Sequence, residues 1–543
     1  MPRISAAQLF GTESISEFRM LGGEGTPETE LQKILITSLA LDSRVVTPGA
    51  AFFALSGENV DGISFLEQAA ANGAVLAVVS ESSAAKVAAL NLRIPVLLTP
   101  DTRAVVSSVA DHFFGTSVSG IEFIGVTGTN GKTSVAWIVS EALAFLGAGT
   151  GYIGTLGKRV LAPGGRTVRF DPSLHTTPEA FELHQTIAAS RGDGAARFAI
   201  EVSSHGISQR RVDNIPFQAA IFTNLTRDHL DFHKTLEAYG ETKMRLFTEL
   251  LSPAGLAVIN IDDPFGPEIV RRLEGTGKEV IRLTRDNSAA RTTYEGVLKS
   301  AATTRRGIEM TAEIKGKKTV IRSSLVGDYN VMNLLSAAGL LTGLGYAPNQ
   351  ITAALRQVRA VPGRLELAAD THPAVYIDYA HTPDGLVNAL NSVIKLRQSD
   401  PEASRGRIIT VFGCGGNRDR GKRPLMGHAV SSLSDLAVVT SDNPRFESPA
   451  DIIADILPGM TGAGINKIEK PGEQNLSARQ VEVFTDRREA IHHAIKIAGE
   501  LDIVVIAGKG HETYQEISGE RYPFSDVDVA REALVAAGQL KVR

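Results

Sequence analysis

The chain has 543 residues, 43% of them apolar and 21% charged, with a formal net charge of −4, which suits a soluble globular protein of three or four domains of about 100–200 residues each. That balance excludes a broad basic surface for nucleic acid or an anionic membrane. The single cysteine, Cys414, excludes an intrachain disulfide, and no apolar run reaches the roughly 18 residues of a membrane span.

The first eleven residues hold Arg3 but no apolar h-region, so no signal peptide is expected and the chain is placed in the cytoplasm. Residues 31–117 alternate short apolar runs with helical patterns. Residues 50–55 and 75–80 read as strands and 63–72 as a helix, a small α/β unit. A second unit opens at Gly120, with a strand over 123–127, a glycine-rich turn and a helix from about Lys132. Further buried strands are predicted at 198–202, 219–223 and 256–261, and strands alternating with helices imply a mostly parallel sheet. Residues 286–307 are polar and read as a hairpin or irregular insertion. Val361-Pro362-Gly363 is a turn and a boundary. Beyond it, predicted strands at 375–378, 407–412, 436–440 and 503–507 form a third, Rossmann-like α/β unit. The domains expected are therefore 1–118, 119–362 and 363–543.

Gly128-Thr129-Asn130-Gly131-Lys132-Thr133-Ser134 follows a strand and opens a helix. A triphosphate needs closely approaching backbone N–H groups, a lysine charge and a hydroxyl for Mg²⁺. The glycines permit the approach, and the helix N-terminus adds a favourable dipole. Lys132 would reach the β- and γ-phosphates, with Thr133 facing the metal. Val126 stands where the general phosphate-loop pattern has its first glycine. The bland alternative is an ordinary strand–helix turn; strand, glycines, Lys and Thr together favour nucleotide.

The string from Gly125 to Thr133, including that missing glycine, resembles the Mur ligase signature. So do Leu41-Asp42-Ser43-Arg44, Glu201-Val202-Ser203-Ser204-His205-Gly206, the run from Thr223 to Asp231, Asp378-Tyr379-Ala380-His381 and Gly508-Lys509-Gly510-His511-Glu512. The resemblance runs in order from about Leu41 to Ser525. It implies an α/β protein of three domains: a small N-terminal UDP-binding domain, a central parallel-sheet ATPase domain, and a C-terminal Rossmann-like domain for the incoming amino acid.

The implied reaction joins a carboxylate to an amine through an acyl phosphate, with ATP as co-substrate and two Mg²⁺ ions. Charge must be neutralised on the phosphates and at the tetrahedral intermediate. The catalytic set is Lys132, Glu201, His229 and Lys243. Glu201 and His229, at strand ends, can share a metal in a parallel-sheet crevice with Thr133. Each alone is as readily a cap or a structural histidine. Lys243 matches the family lysine that CO₂ carbamylates into an anionic metal ligand; by itself it reads as a solvated helix lysine. The resemblance gives the nucleotide Asn330, Asn333 and Arg364 besides the phosphate loop, with Asp378 and His381 toward the γ-phosphate. To the UDP-muramoyl substrate it gives Leu41, Ser43 and Glu58-Asn59-Val60 in the first domain. Along the sugar–peptide arm come His175, Thr176, Thr177, Ser203, Gln209 and Arg211. Glu58 and His175 depart from the His and Asn of better-known members.

Asp442-Asn443-Pro444-Arg445 looks like the string of the diaminopimelate-adding branch. Diaminopimelate carries a second carboxylate and ammonium at its far end, which lysine lacks. A planar guanidinium grips a carboxylate bidentately, which suits Arg445. Arg418 would clamp a further carboxylate, and Glu512 and the Gly508 carbonyl would receive the distal ammonium. The activity implied is addition of meso-diaminopimelate to UDP-N-acetylmuramoyl-L-alanyl-D-glutamate in peptidoglycan synthesis. The partners are those three small molecules; neither nucleic acid nor membrane insertion is expected, and the chain is expected to be a monomer. The rivals are a lysine-adding ligase, a folylpolyglutamate synthetase-like ligase, an inactive scaffold of the same fold, and a nucleic-acid motor.

Overall fold

The run Ala74–Ser80 is apolar at every position but its last, and such a strand is stable only when both its faces are covered. In the computed structural model it lies inside a five-stranded sheet ordered Arg19–Leu21, Val96–Thr99, Ala74–Ser80, Ala50–Phe53, Ser38–Ala40. All pairings but the first are parallel. Successive side chains point to opposite faces, so Ala51, Phe53, Leu76 and Val78 enter one core while Ala50, Phe52, Ala77 and Val79 enter the other. The predicted helix at 63–72 is a 3₁₀ turn, Gly62–Phe65, followed by the helix Leu66–Ala71. The structure describes every residue except 1–2, 16–18, 22–26, 58–60, 91, 289–293, 306, 400–404, 461–465, 468–479 and 541–543. It divides into two units, Met1–Leu283 and Thr284–Arg543.

The first unit also holds six parallel strands ordered Thr150–Gly154, Arg197–Glu201, Glu122–Thr127, Phe217–Phe222, Leu251–Asn260 and Glu279–Thr284. Antiparallel Gly157–Leu161 and Thr167–Asp171 extend one edge. Leu251–Asn260 begins five residues ahead of the predicted 256–261; its early part, Ser252-Pro253-Ala254-Gly255, has the composition of a turn. Both neighbours of Glu122–Thr127 come later in the chain. The order therefore reverses there, the place where open parallel sheets bind ligands beyond their carboxyl ends.

The small sheet is tied to the larger one by the helix Thr102–Phe114, which packs on the helix Ala180–Gly192. His184 sits fully buried between them. Its Nδ1 lies 2.8 Å from Thr116 Oγ1 and its Nε2 3.4 Å from Ser107 Oγ, while Ser107 Oγ also accepts from Asn214 N at 3.2 Å. Burial lowers its pKa to about 3. Phe181 meets Phe53 edge-on at 5.0 Å beside it.

In the second unit, residues 286–307 contain the strand Gly296–Thr304, which makes a hairpin with Gly307–Ile314; Lys317–Ser323 adds a third antiparallel strand. The helices Tyr329–Gly343 and Pro348–Gln357 follow. A seven-stranded sheet is then ordered Glu366–Leu367, Ala374–Asp378, Ile503–Ala507, Ile408–Phe412, Leu436–Val439, Gln480–Val483, Asn466–Lys467, and is parallel except at Glu366–Leu367. Three of its adjacent strands end just before Gly508, Gly413 and Thr440, so the segments holding Glu512, Arg418 and Arg445 leave one edge of one sheet.

Candidate active site

Gly128, at φ +149°, takes a backbone conformation L side chains rarely adopt, and a Cβ there would stand 1.9 Å from Thr223 Oγ1. The glycine lets the phosphate loop lie against the end of the next strand. Thr129 N donates to Asn224 O at 2.8 Å, Asn130 N to Asn224 Oδ1 at 2.9 Å, and Thr223 Oγ1 to Asn130 O at 2.6 Å. The helix Lys132–Phe145 starts at the loop's end with Gly131, also left-handed, as its N-cap. Lys132 Nζ donates to the carbonyls of Gly128 and Thr129 at 3.0 and 2.8 Å.

Thr133 Oγ1 donates to Glu201 Oε2 at 2.9 Å. Glu201 is fully buried at the end of its strand. Its other oxygen accepts from Tyr152 OH at 2.5 Å and Thr155 N at 2.9 Å. A hydroxyl and a carboxylate oxygen side by side at a phosphate loop are hard-oxygen donors of the kind Mg²⁺ takes together with phosphates and waters. No three His, Cys, Asp or Glu side chains converge as a ready-made cage among the described residues, and Mg²⁺ at a phosphate site needs none. The residues present fit the ion.

Lys243 lies in the helix Leu236–Arg245, and its ammonium is buried. Nζ donates to Gly128 O at 2.8 Å and rests 4.3 Å from the Tyr239 ring centre. Burial, and then the Lys132 charge, hold its pKa well below the usual lysine value, opposed by Asp228. A buried amine of low pKa is a nucleophile toward CO₂ near neutral pH. The surroundings of Lys243 thus exclude the solvated-lysine alternative. His229 is exposed, at φ +52°. Its N donates to Asp228 Oδ1 at 2.9 Å, and its ring meets His205 edge-on at 4.9 Å.

Thr176, Thr177, Ser203, Gln209 and Arg211 form one network that reaches Glu201. Thr177 Oγ1 donates to Glu201 O at 2.7 Å, and Ser203 N donates to Thr177 Oγ1 at 3.0 Å. Thr176 Oγ1 is 3.0 Å from Thr155 Oγ1. Arg211 donates to Thr177 O and Gln209 Oε1, both at 2.6 Å, and pairs with Glu179 at 2.6 Å. His175 is exposed beside this network and accepts from Ser173 Oγ through its carbonyl. Ser43 belongs to the small sheet's surroundings, where Oγ donates to Gln68 Oε1 at 2.7 Å, and Leu41 is half-buried nearby in sequence. Glu58, Asn59 and Val60 lie outside the described residues.

In the second unit, Asn330 and Asn333 are buried at the start of their helix. Asn330 Nδ2 donates to Val326 O at 2.7 Å and Asn333 Nδ2 to Asn330 Oδ1 at 2.8 Å. The Arg364 guanidinium lies 5.0 Å from the Tyr379 ring centre, and that ring meets His381 at 4.7 Å and His511 at 5.0 Å. Asp378 is buried and accepts from Leu365 N and Ala380 N at 2.8 Å each; burial raises its pKa, opposed by Arg364.

The Asp442–Arg445 loop crosses the same sheet's end. Arg445, at φ +52°, donates from Nη1 to Gly416 O at 2.8 Å, and its backbone N donates to Glu516 O at 3.0 Å. A Cβ on Gly415 would lie 3.0 Å from Arg445 Nη1 and 3.8 Å from Arg418 Cγ, so both guanidinium-bearing residues flank one glycine. Pro444 is buried, and Gly508, at φ +121°, lets the Asp442 carboxylate approach to 3.1 Å of where its Cβ would be. Asn443 Nδ2 donates to Glu512 Oε2 at 2.9 Å.

Three residues here were not singled out in the sequence. Tyr152 orients Glu201, and its ring meets Trp137 edge-on at 5.4 Å. Lys509 is wholly buried among Asp442, Asn443 and Glu512. Arg487, also wholly buried, pairs with Asp526 at 2.7 Å and donates to the carbonyls of Ser441 and Ala507. Lys509 alone carried a signal, as a member of the Gly508–Glu512 string.

The Mur ligase middle domain matches residues 126–341, the Mur ligase glutamate ligase domain 363–510, and the Mur ligase family catalytic domain 35–114. A UDP-N-acetylmuramoyl-L-alanyl-D-glutamate–2,6-diaminopimelate ligase of Xanthomonas oryzae is 40% identical over 512 residues, 94% of this chain and 96% of that protein. The chain belongs to the Mur ligase family. The like-named ligase of Pseudomonas aeruginosa is 40% identical over 94% of this Mur ligase and 97% of its own length. A solved structure of that ligase type, 29% identical, superposes with a TM-score of 0.66 over 99% of this chain and all of its own. The ADP complex of the Thermotoga maritima ligase MurF, 16% identical, shares the fold at a TM-score of 0.60 over 92% of this chain and 97% of its own. No helix among the described residues is long and apolar enough to cross a membrane.

Proposed function

We propose that this Mur ligase uses ATP to join meso-diaminopimelate to UDP-N-acetylmuramoyl-L-alanyl-D-glutamate. The observation that carries the choice of amino acid is the meeting of Arg418, Arg445, Asp442, Asn443 and Glu512 at one end of the C-terminal sheet. Two cations and two carboxylates suit a zwitterion charged at both ends; a lysine-adding site has no use for Arg445. The names of the relatives above support the same reading, as do the three Mur ligase regions matched in order along the chain.

In this reading the D-glutamate carboxylate attacks the γ-phosphorus and ADP leaves. The amine of diaminopimelate then attacks the acyl carbon, losing a proton as phosphate departs. Lys132 and the loop N–H groups hold the phosphates. Thr176, Thr177, Ser203, Gln209 and Arg211 position the peptide arm, and the hydrogen bond from the Thr177 hydroxyl to the Glu201 carbonyl, with Ser203 and Arg211 holding Thr177, keeps that arm in register with the phosphate site. Thr133, Glu201, His229 and carbamylated Lys243 would hold Mg²⁺, which when bound offsets phosphate charge. Asn330, Asn333 and Arg364 would hold base and ribose, Asp378 and His381 would serve the γ-phosphate, and Leu41, Ser43 and residues 58–60 the uridine.

Arg445→Ala tests the reading. Loss of a charge-assisted pair in a closed site costs about 2–5 kcal/mol, on the order of 30- to several-thousand-fold in kcat/KM for meso-diaminopimelate. L-lysine, with nothing for Arg445 to hold, should lose little. Equal losses for both amino acids would mean that Arg445 only ties its loop to Gly416 and Glu516.

A further inference from the structure

The ammonium of Lys509 is 0% exposed. Such a charge is tolerated only where fixed partners replace its water. It donates to Asn443 Oδ1 and to Glu512 Oε2, each at 3.0 Å, and lies 3.7 Å from Asp442 Oδ1. Those contacts set which way the Asn443 amide faces. Its oxygen also accepts from Glu516 N at 2.9 Å, which leaves its Nδ2 to donate to Glu512. One lysine between two carboxylates leaves a single negative charge in excess. Arg487 and Arg423, the other buried arginines nearby, are taken by Asp526 and by Glu447 with Asp455. Asp442 Oδ1 is buried with no hydrogen-bond partner among the described residues; its ion pair with Lys509, at 3.7 Å, leaves it room to accept from a ligand's ammonium.

We propose that Lys509 is a positioning residue of the amino-acid pocket. It locks Asn443 and Glu512 in one arrangement and cancels one of two carboxylate charges, so that the pocket accepts a single ammonium. The proposal rests on the diaminopimelate reading above. With the lysine gone, Asp442 and Glu512 would face each other without a cation, and the repulsion of like charges would spread the pocket. The other ionisable groups around them include Arg487, Asp526, Tyr379, Tyr514, His511, His381, Cys414, Arg445 and Glu516. None lies between the two carboxylates as Lys509 does.

The test is steady-state kinetics of Lys509→Met with all three substrates varied in turn, beside Arg445→Ala. The KM for meso-diaminopimelate should rise about tenfold or more, while those for ATP and the UDP-dipeptide stay at the wild-type level. Should Lys509→Met not fold, Lys509→Gln, which still donates to Asn443 but carries no charge, takes its place. A folded variant with wild-type KM, or with all three constants raised alike, would overturn the proposal. If Arg445→Ala raises the diaminopimelate KM and the Lys509 variants do not, only the positioning role falls. If neither changes it, the pocket itself is misassigned.

Discussion

Lys243 shows how a side chain's role is decided by what surrounds it. In the sequence it is one lysine on a helix. In the fold it is buried against Gly128 O and the Tyr239 ring, with its pKa driven down by burial and by Lys132. The sign of that shift matters: a lowered pKa leaves more neutral amine at a given pH, and only the neutral amine adds CO₂ to form the carbamate, releasing a proton. Lys243→Ala should therefore lose roughly a hundredfold or more in kcat. Added formate or acetate should return part of it, because a small carboxylate fills the space of the missing anion. An active enzyme whose mass shows an unmodified lysine would sink this assignment. Residues in contiguous strings, such as Lys132, Thr133 and Arg445, were legible because each string fixes its own local geometry. Tyr152 was not, because its meaning lies in a partner 49 residues away at Glu201; Lys509 stood in a legible string, but its contact with Asn443, 66 residues away, left no local trace.

At the scale of elements, the parallel strands were the easiest to read. Burial on both faces leaves near-continuous apolar runs such as those at 503–507 and 74–80. Strands with one open face or a turn-like opening were harder. Gly296–Thr304 is buried over its first three residues and mostly exposed after them, with no alternation to read, and Leu251–Asn260 hides a proline and a glycine. The phosphate loop was fully legible as an element, and its geometry makes a sharp prediction. Gly128→Ala puts a methyl 1.9 Å from Thr223 Oγ1 at a backbone angle that alanine resists. The loop must move to relieve the clash, and misplacement by about 1 Å is worth on the order of a hundredfold in rate. The loss should appear in kcat/KM for ATP while thermal unfolding stays cooperative. Wild-type use of ATP by the variant would count against the loop as the phosphate site.

At the scale of the whole chain, the three-domain order followed from the turn at 361–363 and the fresh start at Gly120, whereas the two compact units part between Leu283 and Thr284. The reason lies in the second unit, where the helix Pro383–Ser399 packs against the strand Gly296–Thr304 and Lys395 pairs with Asp328 at 2.9 Å. Contacts so distant in sequence leave no local pattern. The same is true of His184, the buried histidine joining the small sheet to the larger one. Its pKa is lowered from 6.5 to about 3, so in that window the unfolded chain binds a proton that the native chain refuses. Native stability therefore falls as pH drops below 6.5, by about 1.4 kcal/mol per unit for this one group. His184→Gln should flatten the acid limb of the melting temperature against pH; an unchanged slope would show that other groups set it. The sequence's one tryptophan, Trp137, sits 5.4 Å from the ring whose hydroxyl binds Glu201, with the Arg159 guanidinium 4.3 Å over its own ring. Indole emission is sensitive to nearby charge. The enzyme thus carries a single intrinsic fluorophore of its class at the edge of the proposed nucleotide site, and light selectively absorbed by that indole interrogates the surroundings of Glu201 without any label.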